Sequence, residues 1–204
     1  MHVEPEDRTV GEEEWRPFVV SQGFGHLVAA GRGRTVPVVV PTQFLLDGDV
    51  VALHLVAANP FFAAVNEQPT VVLSVAGDWA FVPSDWKVIG AEDPALGIPT
   101  TYYGAVQLTG RADVVSEPAR VAAVLRRQLE ALQPATPVAD PIDVHRGKLE
   151  AIRAVLITVE DVKAKFKYGG NVDVAHRQAV ADRLIGRGGP ADRSAAAHVR
   201  RRIQ

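Results

Sequence analysis

The residues best able to do chemistry in this 204-residue chain fall in four short words. They are His54-Leu-Val-Ala-Ala-Asn59-Pro60, Pro83-Ser84-Asp85-Trp86, Ile98-Pro99-Thr100-Thr101-Tyr102-Tyr103, and Lys165-Phe166-Lys167-Tyr168-Gly169-Gly170-Asn171. Lys165 and Lys167 are two positions apart, so on a strand they share one side and could neutralise an anion together. The same spacing also describes a solvated basic stretch. Gly169-Gly170 permits a close backbone approach or a positive φ. Asn59-Pro60 is a helix-start signal, with backbone N–H groups at 57–61 available to an anion or with Asn59 acting only as a cap. His54 reads either as a ligand contact or as a satisfied strand-end histidine. Trp86 buries a large area whether it stacks or packs, and Tyr102 offers a hydroxyl as well as a ring.

Composition narrows the function classes. Hydrophobic residues make up 47% and charged residues 23%, an ordinary globular balance, and the formal net charge is −2. No global field therefore attracts nucleic acid, no helix-turn-helix pattern is present, and direct DNA binding is not expected. There is no cysteine, which excludes disulfides, thiolate metal sites and a thiol nucleophile. Histidines at 2, 26, 54, 145, 176 and 198 show no metal-ligand spacing, so no metal is expected. Neither a nucleophile elbow nor a Walker loop occurs. Gly31-Arg32-Gly33-Arg34 is read as a hairpin turn rather than a phosphate cradle. The acidic start, Met1 to Asp7, lacks the basic and apolar regions of a signal peptide, and no apolar run reaches 18 residues. A cytoplasmic protein without a membrane span is expected.

These words need elements to position them. Thr9 to Gln22 opens with a hydroxyl and a carboxylate at capping-box spacing and predicts a short helix. Strands are predicted over 23–30, 35–44, 50–55, 70–76, 79–82, 101–115 and 155–162. The Asp47-Gly48 pair sets a tight hairpin turn. A helix is expected after Asn59-Pro60, another from Glu117 to Leu132 by the spacing of Val121, Val124, Leu125, Leu129 and Leu132, and a short one over Val144 to Ile152. Residues 133–142, with three prolines, predict a loop. The tail from Val174 reads as helical, broken at Gly186-Arg187-Gly188-Gly189-Pro190 and frayed past Val199. The fold class is mainly β with helices added (α+β): one domain over 1–204, a barrel of six strands made by the runs up to residue 115, with the helical additions in 117–204.

The four words, in this order, resemble the PaiB-type FMN-binding regulator family, a family that reads roughly H-L-A-R-A-N-P, A-Y-I-S-P-S-W-Y, V-P-T-W-N-Y and K-x-K-L-S-Q-N. The resemblance covers roughly residues 10 to 190. It implies a six-stranded split barrel of the FMN-binding type, a homodimer with FMN at its interface, and a regulatory role. The cofactor contacts it implies are Thr42, His54, Asn59, Trp86, Thr100, Lys165, Lys167 and Asn171; it names no catalytic residue. Several family positions differ here. Ala57 stands for an arginine, Thr101-Tyr102 for Trp-Asn, and Tyr168-Gly169-Gly170 for Leu-Ser-Gln, so polar contacts to FMN are lost. A flavin-dependent oxidoreductase acting on a small organic molecule is the alternative, since the flavin itself carries the redox chemistry. A cofactor-free protein with a remodelled cavity is the third reading.

Overall fold

The structure, a computed structural model, describes residues 1–137, 139 and 147–203. Its strands are β1 (Phe24–Ala29), β2 (Val38–Gln43), β3 (Leu45–Asp47), β4 (Val50–Val56), β5 (Thr70–Val82), β6 (Thr100–Val115) and β7 (Ile152–Lys167). Its helices are α1 (Glu12–Gln22), α2 (Phe61–Glu67), α3 (Pro118–Leu132), α4 (Val174–Arg187) and α5 (Asp192–Arg201), with 147–149 also helical. The strands form one seven-stranded sheet in the order β2-β1-β5-β6-β7-β4-β3, with antiparallel pairing.

The expected barrel of six strands is a sheet of seven, because 155–167 joins it as β7, two predicted runs fuse into one, and one strand is gained after Phe44. Phe44 turns inward, 3% exposed, and its N–H bonds the Gly23 carbonyl at 3.1 Å. That ends β2 at Gln43 and frees Leu45–Asp47 to become a strand of its own, paired with β4 across the Asp47-Gly48 turn. The runs 70–76 and 79–82 are one strand, β5, continuous through Asp78, whose φ of 49° is unusual for a residue with a side chain. The expected helix over 144–152 lies outside the described residues for 144–146, as does part of the 133–142 loop; Ile152 begins β7.

Carboxylates cap α3 and α1. Glu117 accepts from the N–H groups of Ala119 and Arg120 and starts α3. At α1 it is Glu14, not Glu12, that reaches back, accepting from Val10 N–H at 2.9 Å, so the helix begins at Glu12.

The chain forms two compact units. The first comprises Met1–Phe18, Ala76–Val106 and Lys163–Gln204. The second comprises Val19–Val75 and Gln107–Val162. In the second unit, alternate residues of β4 and β7 pack on the apolar stripe of α3: Ala52, Ala154, Val115, Val121, Ala122, Val124 and Leu149 are buried together. In the first unit the core is aromatic. Phe18 meets Phe166 edge-on at 5.3 Å, and His198 from α5 stacks on Tyr168 at 4.5 Å. The end of α5 is packed here rather than frayed. Val199 is fully buried, and the Arg202 guanidinium donates to the carbonyls of Glu6 and Arg8 and to the buried Glu14 carboxylate. No helix among the described residues is long and apolar enough to cross a membrane.

Candidate functional site

A cleft of about 710 Å³ opens in the first unit, within the ~300–1,000 Å³ range of small-molecule sites. β7 ends at Lys167, and the turn through Gly169 to Asp173 carries the chain into α4. β6 supplies Thr100 and Tyr102, and the turn Ser84–Lys87 supplies Lys87. Leu96 and Ile98 stand at the rim, 77% and 78% exposed. Strand alternation decides which β7 residues reach the cleft: Phe166 and Tyr168 point into the core, while Lys165 and Lys167 point out of it.

The two β7 lysines are not equivalent. Lys165 is 12% exposed, sits 3.4 Å from the buried Asp7 carboxylate and donates to the His2 carbonyl at 3.2 Å. Its charge is already answered. Lys167 forms neither ion pair nor hydrogen bond with any described residue. Lys87 is half-buried; its Nζ donates to the Tyr102 hydroxyl at 3.5 Å and stands 5.7 Å from the centre of that ring. Burial, then the like charge of Lys167, lowers the Lys87 pKa. The Tyr102 hydroxyl is pushed up to about 12 by burial, so the phenol is neutral. Gly169, at φ +77°, leaves the space that this hydroxyl occupies. Also lining the cleft, His176 is held between two carboxylates, Asp173 at 2.7 Å and Glu92 at 3.0 Å. Its pKa is raised, most by Glu92 and then by Asp173.

Of the residues expected from sequence, the cleft gathers Thr100, Lys165, Lys167 and Asn171. Trp86 does not line it; its ring lies 4.8 Å from the Arg187 guanidinium. Thr42, His54 and Asn59 belong to the second unit. Thr42 is buried and donates to the Gln43 carbonyl at 3.0 Å. His54 Nδ1 donates to Oε1 of the buried Gln128 at 2.6 Å. Asn59 caps: its Oδ1 accepts from Phe61 N–H at 2.9 Å. α2 runs for only seven residues. Sequence reasoning missed Lys87 and His176. Lys87 directly follows Trp86, but nothing local distinguishes it from a surface lysine. His176 does carry a signal, the Asp173-x-x-His176 spacing at a helix start. Among the described residues no cluster of three or more histidines and carboxylates could hold a metal ion.

Residues 1–161 match the family described as "Putative FMN-binding domain". No curated protein matches the chain. The fold is shared with a flavocytochrome of Azotobacter vinelandii, 24% identical with a TM-score of 0.62 over 81% of this chain and 72% of that one. It is also shared with a FAD- and haem-binding protein of Mycobacterium smegmatis, 17% identical with a TM-score of 0.62 over 89% of this chain and 80% of that one.

Proposed function

The chain belongs to the FMN-binding domain family, and on that premise we propose that it binds a flavin whose phosphate sits against Lys167 and Lys87 in the cleft. The family match ends at residue 161, so the assignment of Lys167 rests on geometry. The observation that carries it is the pair of ammonium groups, Lys87 and Lys167, that share a cleft without a carboxylate partner. Bringing two like charges together costs free energy, and a bound dianion reverses the sign of that cost. The residues fit the group: two cations for the phosphate, Asn171 and Thr100 for polar edges, and exposed Leu96 and Ile98 for the flat apolar ring. Lys165 holds Asp7 and shapes the wall rather than meeting the ligand. When bound, a flavin supplies hydride or electron transfer.

The resemblance to the PaiB-type proteins extends the proposal to a split barrel that works as a homodimer. A second copy would cover the ring slot, which the exposure of Leu96 and Ile98 supports. A regulatory role stands on that resemblance alone.

The test is a titration of the full chain with FMN, FAD and riboflavin, read by tryptophan quenching and visible absorbance, for the parent and Lys167→Met. FMN should bind, and Lys167→Met should weaken it by ~10–100-fold, the worth of one hydrogen bond to a charged group at about 1.5–3 kcal/mol. Riboflavin, lacking the phosphate, should bind weakly to both. Equal binding of riboflavin and FMN would refute the phosphate assignment, and no binding of any flavin would refute the function.

A further inference from the structure

Lys87 carries a second chemistry that does not need a flavin. An amine becomes a nucleophile when its environment disfavours the ammonium form, and burial beside another cation does this. Lys87 is half-buried, lines the open cleft, and among the described residues donates to a neutral phenol rather than to a carboxylate. The acids around it are committed elsewhere: Asp7 pairs with Lys165, Asp173 and Glu92 bracket His176, and Glu4 contacts His2. Glu6 also lines the cleft but makes no ion pair with Lys87. Arg177 adds positive charge beside Tyr102. Lys167 is the like charge that adds to burial in lowering the basicity of Lys87.

We propose that Lys87 is a reactive amine that condenses reversibly with an anionic aldehyde or α-keto acid bound in the cleft, with Lys167 holding the carboxylate. The neutral Lys87 nitrogen attacks the carbonyl carbon and a C–N bond forms. The two nitrogen protons pass to the carbonyl oxygen, which leaves as water, and an imine remains. No oxidant or reductant is consumed. The Tyr102 hydroxyl, at hydrogen-bond distance from Nζ and held in place by the missing Cβ of Gly169, is positioned to relay those protons.

The probe is glyoxylate, with acetaldehyde as its uncharged counterpart. Flavin-free full-length protein is trapped with cyanoborohydride and the modified lysines are mapped by peptide mass. At pH 7 Lys87 should be trapped by glyoxylate several times faster than the exposed Lys148 and Lys163. Inorganic phosphate should protect Lys87 from glyoxylate, and Lys167→Met should slow glyoxylate more than acetaldehyde. Trapping at Lys87 no faster than at Lys148 and Lys163 overturns the proposal. Equal slowing of both aldehydes in Lys167→Met, together with no protection by phosphate, overturns the role of Lys167. FMN separates the two readings. Protection of Lys87 by FMN supports a shared cleft. FMN that binds without protecting Lys87 overturns the flavin placement and leaves the amine chemistry standing. Trapping without any flavin binding does the same for the proposed function.

Discussion

Gly169→Ala tests whether the cleft is built as described. Gly169 has φ +77°, where a residue with a Cβ loses about 1–2 kcal/mol. A Cβ there would also fall on the Tyr102 hydroxyl and stand 3.1 Å from its ring carbon. Tyr102 is 1% exposed and packs at 6.1 Å against the fully buried Tyr168, so the ring has nowhere to retreat. Overpacking of this kind adds about 1–3 kcal/mol. The expected loss is therefore about 2–5 kcal/mol, or roughly 4–20 °C in Tm at about 2–4 °C per kcal/mol for a chain of this size. Gly48→Ala is the control. Its φ of +55° carries the same backbone cost, but a Cβ there meets nothing within 4 Å, so only the first cost of about 1–2 kcal/mol applies. Thermal unfolding by circular dichroism compares the two. The same variant should displace the Tyr102 hydroxyl from Lys87 and slow trapping of Lys87 by glyoxylate. If Gly169→Ala costs no more than Gly48→Ala, Tyr102 does not fill that space and the reasoning fails.

Further outcomes concern hydrogen bonding and pH. Gln128→Leu leaves His54 Nδ1 without its acceptor and should cost about 1–3 kcal/mol, while His54→Leu with Gln128→Leu should recover much of it; strictly additive losses in a double-mutant cycle would mean the 2.6 Å contact carries no coupling. His176 and His198, both in the first unit, should titrate stability in opposite directions. His176 has its pKa raised above 6.5 by Glu92 and Asp173, so its contribution is complete below 6.5 and lost as pH rises through the raised folded value. His176→Gln should remove that alkaline-side decline in Tm. His198 has its pKa lowered below 6.5 by burial, which outweighs its hydrogen bond to Asp78, so its contribution is complete above 6.5 and lost as pH falls toward the lowered folded value. His198→Asn should flatten the decline on that acid side, and Tm profiles that move the other way would contradict both assignments.

Much of the scaffold is written locally. The Asp47-Gly48 turn, the β-branched runs of β1, β2 and β4 and the helical spacing of α3 each depend on neighbours within a few residues, and all appear where the pattern puts them. The break between α4 and α5 falls at Gly188, in the left-handed conformation that glycine allows. The strand count did not follow from pattern, because the end of β2 is set by Phe44 bonding to Gly23 and the continuity of β5 by Asp78, which His198 and Tyr168 hold from across the first unit.

The site divides in the same way. Sequence alone placed Lys165 and Lys167 on one side of a strand and Asn59 at a helix start, because side-chain direction is a property of the local backbone. Only tertiary structure decided what each group's charge is worth. Lys165 is neutralised by Asp7 from the far end of the chain, His54 is occupied by Gln128, and Lys87, from an unremarkable turn, meets Lys167 across the cleft. Desolvation and Coulomb energy depend on distance in space, and that distance exists only once the strands have come together.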